Sequence, residues 1–99
     1  MNQEISLLIL IEVKPNHRQK QIDAFNKIAP IVLKENGCLQ YELKEVENKE
    51  NEFVIIEKWA TEKDLLAHDV ASHMVESDKL NPTFRAKPAT VIKLVSINV

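Results

Sequence analysis

The sequence predicts an α+β domain in the split β-α-β order, built on an antiparallel sheet. Three observations predict it. Four short stretches are β-branched or alternate apolar with polar residues, as strands do. Apolar residues at helical spacing fill the segments between the first and second stretches and between the third and fourth. Only a short polar turn separates the second from the third. Ninety-nine residues, 44% hydrophobic and 28% charged, suit one globular domain over residues 1–99.

Ile5, Leu7, Ile9, Ile11 and Val13 alternate with Ser6, Leu8, Leu10 and Glu12, so the first strand is apolar on both faces. Helices of the same chain can cover one face. The other needs a second layer that the remaining residues are too few to supply, which points to a dimer. Lys14-Pro15-Asn16 stops the strand, and Asn16 with Gln19 has the spacing of a capping box. Ile22, Phe25, Ile28, Ala29, Val32 and Leu33 then predict a helix over about residues 17–35, kinked at Pro30. Gly37, the only glycine, stands where a helix needs a left-handed residue past its end.

Cys38 to Val46 sets Leu39, Tyr41 and Leu43 against Gln40, Glu42 and Lys44, the pattern of a half-buried strand. Asn48-Lys49-Glu50-Asn51 turns the chain into a third strand with Phe53, Ile55, Glu57 and Trp59 on one face. Thr61 can cap a short helix holding Leu65, Leu66 and His68. Asp69 to Ser72 interrupts it, and Ser72 can cap a second short helix ending by Asn81-Pro82. After Pro88, Thr90 to Val99 forms the last strand. With the two short helices counted as one crossover, this order is ferredoxin-like.

Composition excludes several functions. Thirteen Lys and Arg against fifteen Asp and Glu give a formal charge of −2 without a basic cluster, which argues against nucleic-acid binding. One cysteine excludes a disulfide framework and a multi-cysteine zinc site; Cys38 reads as a buried structural thiol. No basic segment opens the chain, and the apolar run from Ile5 to Ile11 is too short to span a bilayer. A cytoplasmic protein without membrane contact is expected. A single glycine cannot build a G-x-G-x-x-G or phosphate loop, so flavin, nicotinamide and nucleotide readings lose their usual support.

The candidate chemistry is carried by three residues. Glu57 shares its face with Phe53, Ile55 and Trp59, and removal from water would raise its pKa into a useful acid/base range. The plainer alternative pairs it with a neighbouring Lys or a backbone donor. His68 follows Leu65 and Leu66 and so lies near the apolar side of its helix. His73 falls near a helix N-terminus, which favours a neutral imidazole. A metal site is the weaker reading, because H-x₄-H is not the zincin spacing and no third ligand is near in sequence. Tyr41, Trp59, Met74 and Phe84 read as core or pocket wall.

The run Lys27-Ile28-Ala29-Pro30-Ile31-Val32-Leu33-Lys34-Glu35-Asn36-Gly37-Cys38, then Tyr41, resembles the antibiotic biosynthesis monooxygenase family. So does Val54-Ile55-Ile56-Glu57-Lys58-Trp59, followed by Leu65, His68 and Ser72-His73-Met74. The bacterial quinol monooxygenase branch is the nearest in character, and the likeness covers nearly the whole chain. It implies a homodimeric α+β barrel with a pocket between sheet and helices. It also implies oxidation of a small quinol-, anthrone- or polyphenol-like aromatic by O₂, with no metal or other cofactor. In that chemistry a base forms an electron-rich anion, which passes an electron to O₂. His68 would be the base or hydrogen-bond partner, Glu57 would orient it, and His73 is the second candidate. Trp59, Tyr41, Met74 and Phe84 would shape the substrate pocket.

The resemblance carries alternatives. One branch isomerises a small phosphorylated signalling metabolite, yet Arg18, Arg85 and Lys87 form no phosphate-binding motif. Another degrades haem with an Asn in the first strand, which this chain lacks. A third possibility is a non-catalytic dimeric binding or stress protein on the same scaffold.

Overall fold

A computed structural model describes residues 3–97. Its elements are β1 (Ile5–Glu12), α1 (Arg18–Val32), β2 (Cys38–Val46), β3 (Lys49–Trp59), α2 (Glu62–Asp69), α3 (Ser72–Leu80) and β4 (Thr90–Val95), with a 3₁₀ turn at Asn81–Thr83 before β4. The strands form one sheet in the order β2-β3-β1-β4, every neighbouring pair antiparallel. This is the ferredoxin-like α+β arrangement that the element order predicts. Among the described residues no helix is long and apolar enough to cross a membrane.

Period two decides which side chains the helices cover. Ile5, Leu7 and Ile11 of β1 and Phe53, Ile55, Glu57 and Trp59 of β3 are buried beneath Phe25 and Val32 of α1 and Leu65 of α2. The opposite face pairs Leu8 with Ile56 and Ile92, Leu10 with Val54, and Ser6 with Leu94. None of the described residues covers that second apolar surface, and Leu10, Ile92 and Leu94 are 38%, 38% and 46% exposed.

Local details correct several boundaries. Asn16 does not cap α1: it adopts a left-handed φ of 67°, and Gln19 donates forward to Asp23 at 2.9 Å instead of reaching back. The N-cap is His17, whose side chain makes no capping bond. Pro30 lies in the last turn of α1, which stops at Val32 rather than near residue 35. The inward stripe is Gln21, Phe25 and Val32, and Leu33 is exposed. The hairpin is tighter than expected, because Val46 pairs with Lys49 across Glu47-Asn48. Asn48 supplies the left-handed residue of that turn at φ 64°. Thr61 caps α2 as predicted. Ser72, however, is the first residue of α3, after an Ala71 cap. The last strand ends at Val95; Asn98 and Val99 lie outside the described residues.

Candidate active site

Four segments bring polar groups under the helices. Glu57 and Trp59 are two residues apart on β3 and both point inward. Trp59 Nε1 donates to Glu57 Oε1 at 3.0 Å. On α2, Leu65 and His68 lie about one turn apart, and both are buried. The His68 ring rests 4.5 Å from Trp59, centroid to centroid. His68 Nε2 is 3.8 Å from Glu57 Oε1, which is too far for a hydrogen bond.

The other nitrogen of His68 is held from an unexpected place. Glu35 sits in the turn between α1 and β2, where its N–H donates to the Val32 carbonyl at 2.9 Å and its carbonyl accepts from Cys38 N–H at 3.2 Å. Gly37 adopts φ 77°, and a Cβ there would lie 2.0 Å from Asp64 Oδ2. Glycine is needed for both the conformation and the close approach. The Gly37 carbonyl also accepts from Ala60 N–H at 2.8 Å. The turn is therefore pressed onto the first turn of α2, where Asp64 N–H donates to Thr61 Oγ1 at 3.1 Å. From this perch Glu35 Oε2 lies 2.8 Å from His68 Nδ1 and 2.8 Å from His73 Nε2.

A carboxylate oxygen only accepts, so both of those ring nitrogens carry hydrogens. A neutral His68 then keeps its lone pair on Nε2, the nitrogen nearest Glu57. Burial pushes the Glu57 carboxyl above its ordinary range; the Trp59 bond and the His68 charge oppose that rise, and Asp69 and Glu35 add to it. Burial, with the Glu57 charge beside it, also pushes the Tyr41 phenol up, so Tyr41 remains an O–H donor at neutral pH.

Glu57, His68 and Tyr41 line a cavity of about 420 Å³ between the sheet and the helices. Its apolar wall includes Leu7, Ile9, Phe25, Ile55 and Met74. Phe25 and Tyr41 stack with centroids 4.9 Å apart, which presents flat rings to a guest. Elsewhere on the wall Lys93 pairs with Glu62 at 2.6 Å. Arg85 Nε donates to the Oε1 of fully buried Gln21 at 3.0 Å.

Of the residues singled out by sequence, the cavity brings together His68, Glu57, Tyr41 and Met74. His73 is off the wall and joins only through Glu35. Trp59 and Phe84 are not among the cavity-lining residues, and Trp59 stands behind the wall against two residues that are. Trp59 is fully enclosed against Glu57 and His68, and Phe84 is buried with the Arg85 guanidinium 6.0 Å from its ring. Cys38 is half-buried rather than buried, and its thiol is pushed up chiefly by burial. A third potential ligand does accompany the two histidines, because folding brings Glu35 to both. Sequence reasoning missed Glu35 and Gln21. The first is marked only by standing two residues before the sole glycine. The second stands four residues before Phe25, a polar residue on an inward stripe.

The model of the antibiotic biosynthesis monooxygenase family matches residues 5–77. A Bacillus subtilis (strain 168) protein named Putative monooxygenase YcnE is 33% identical over 69 residues, 70% of this chain and 73% of its own. The structure of PA3566 from Pseudomonas aeruginosa superimposes with a TM-score of 0.89 at 21% identity, covering 99% of this chain and 98% of that one. Rv0793 from Mycobacterium tuberculosis gives 0.90 at 18% identity over 98% of each chain. Those two likenesses establish the fold. The family match runs through Glu35, Glu57, His68 and His73, and on it the chain belongs to the antibiotic biosynthesis monooxygenase family.

Proposed function

We propose that this protein is a cofactor-independent monooxygenase that oxidises a small quinol-, anthrone- or polyphenol-like aromatic with O₂, with His68 as the base. The observation that carries the reading is the 3.8 Å gap between His68 Nε2 and Glu57 Oε1. Both residues line an apolar cavity of about 420 Å³, the size of a small-molecule site. A substrate O–H or activated C–H placed at this gap meets a lone pair on one side and a carboxyl group on the other. Trp59 fixes the carboxyl, and Glu35 fixes the imidazole.

The residues divide the work. His68 Nε2 takes the proton, and the imidazolium that forms is stabilised by the Glu35 carboxylate on Nδ1. The stacked Phe25 and Tyr41 rings hold the aromatic plane, and the Tyr41 hydroxyl can donate to an oxyanion. The substrate anion supplies the electrons to O₂. For an anthrone, one oxygen atom becomes the new carbonyl and the other leaves as water with the two C–H hydrogens.

Homodimer formation belongs to the same proposal. The uncovered apolar face of β1, β3 and β4 is the second layer's seat, with Leu10, Ile92 and Leu94 open to water.

The test is O₂ uptake by chelator-treated protein over hydroquinones, catechols and anthrones, with autoxidation subtracted. A rate that falls by about 10²–10⁴-fold in His68→Ala is expected for loss of a general base. Uptake at the autoxidation rate on every substrate would overturn the monooxygenase reading. Uptake equal in His68→Ala and wild type would remove His68 as the base.

A further inference from the structure

Glu35, His68 and His73 come from three separate segments, yet their donor atoms converge. His68 Nδ1 and His73 Nε2 each lie 2.8 Å from Glu35 Oε2, and the three atoms all lie within 4.8 Å of one another. Two imidazole nitrogens and one carboxylate oxygen form the donor set that zinc-class divalent cations take, with open positions left for water. His68 and His73 stand on two different helices, and Glu35 is pinned by the glycine turn, so the donors are positioned before any ligand arrives.

Two further observations fit a cation. Histidines that bind metal commonly direct their far N–H towards a carboxylate, and Glu57 Oε1 faces His68 Nε2 at 3.8 Å, a short approach away from such a bond. The cluster is also reachable: the Glu35 and His73 side chains are 15% and 18% exposed, whereas that of His68 is only 3% exposed. A cation would enter beside His73, off the wall of the aromatic cavity.

We propose that Glu35, His68 and His73 form a binding site for a zinc-class divalent cation whose occupancy switches His68 off as a base. A neutral imidazole that binds metal through Nδ1 carries its single hydrogen on Nε2. Nε2 then points an N–H at Glu57 and has no lone pair for substrate. His73, bound through Nε2, moves its hydrogen to Nδ1 in the same way. No electron moves, and the cation takes the place of the two hydrogens now shared with Glu35. The switch rests on the proposed function, whereas the binding site does not.

The experiment is calorimetric titration of chelator-treated, dialysed protein with ZnCl₂, repeated with CoCl₂ while the visible absorption of bound cobalt is followed. One cation per chain is expected. His73→Ala and Glu35→Gln should each weaken binding by about 100-fold or more, since even outer-sphere changes cost about 10–100-fold. His17→Ala should bind as wild type does, because His17 is tied to the Pro15 carbonyl, away from the cluster. Thermal melts confirm that each variant is folded, and His73→Gln stands in if His73→Ala is not. No zinc heat at millimolar concentration would overturn the site, as would equal affinity in wild type, His73→Ala and Glu35→Gln. In the O₂-uptake assay, zinc should inhibit wild type at the concentration that half-fills the site. In His73→Ala the inhibition midpoint should move up by the same factor as the affinity, judged against that variant's zinc-free rate. Zinc bound without inhibition would overturn the switch alone. Absence of uptake in every zinc-free sample would count against the proposed function, and the calorimetry would still decide the site.

Discussion

Two buried polar clusters lie under the same helices and differ in how completely their groups are used. Gln21 and Arg85 meet at 3.0 Å, fastening α1 to the segment before β4 across 64 residues of sequence. The bond itself is closed: the neutral Gln21 oxygen accepts from the Arg85 Nε–H, and the Phe84 ring lies 6.0 Å from the guanidinium. The Glu35–His68–Glu57 cluster is built otherwise. His68 Nδ1 is satisfied by Glu35 and Glu57 by Trp59, but His68 Nε2 and Glu57 Oε1 face each other at 3.8 Å without bonding. Burial of polar groups is costly unless they are paired. A buried cluster that leaves a lone pair and a carboxyl aimed at the same cavity therefore marks where a guest belongs. A closed pair marks where the fold is fastened.

The sharpest way to break this contrast acts on neither cluster directly. Gly37→Ala places a Cβ 2.0 Å from Asp64 Oδ2 and 2.7 Å from Asp64 Cβ, at a φ of 77° that L side chains rarely adopt. The left-handed conformation alone costs about 1–2 kcal/mol. Displacing Asp64 disturbs the capped turn of α2 as well. A total loss on the order of 3 kcal/mol is expected, within the range of strained single substitutions, with Glu35 moved off His68. Chemical denaturation measures the loss, and the His68 imidazole resonances should shift with it. Wild-type stability in Gly37→Ala would show that the turn does not hold Glu35 in place.

Gln21→Leu breaks the other cluster. It removes the acceptor of a half-buried Arg85 donor, and a donor stranded in this way costs about 1–3 kcal/mol. For a domain of this size that corresponds to a melting temperature lower by roughly 4–8 °C per kcal/mol. The His68 resonances should stay where they are. A shift of those resonances comparable to that in Gly37→Ala would mean that the two clusters are coupled and the contrast is false.

The legibility of the two clusters differs for the same physical reason. The strands, the α2 cap at Thr61 and the inward face of Phe53, Ile55, Glu57 and Trp59 follow from period and local chemistry, which a sequence displays. His68 is legible because Leu65, three residues before it, marks the buried face of α2. Glu35 is not, because its meaning depends on a turn docking on a helix and on partners 33 and 38 residues away. Asn16 shows the limit even of local rules. Its spacing to Gln19 suits a capping box, but the turn after Pro15 takes it left-handed and Asp23 captures the Gln19 amide. The uncovered face of β1 is legible from the apolar residues at both parities, since a strand exposed on one side alternates. Large aromatics such as Trp59 and Phe84 suit a cavity wall as well as a core. Here both are enclosed, which depth in the core decides and sequence does not show.

The smallest expected effect sharpens the contrast, because it isolates the Glu57 carboxyl. Burial raises the Glu57 pKa in the folded state above the 4.5 of a free glutamate. Between those two values the folded protein binds more protons than the unfolded chain, so unfolding releases a proton and stability falls as pH rises. The stabilisation is complete below 4.5, is lost progressively up to the raised folded value, and stays lost above it. His68 of α2 and Trp59 of β3 oppose the shift, while Asp69 and Glu35 reinforce it, so the sign is set by burial outweighing two partners. Glu57→Gln keeps the shape and the Trp59 bond, since its amide oxygen still accepts, but cannot ionise. Denaturation midpoints of wild type and Glu57→Gln should therefore diverge as pH is raised from about 4 towards neutrality, with the variant gaining relative to wild type. A constant difference between them over that window would mean that Glu57 ionises as freely as an exposed carboxylate. The gap beside His68 would then be an ordinary ion pair, and the two clusters would be alike after all.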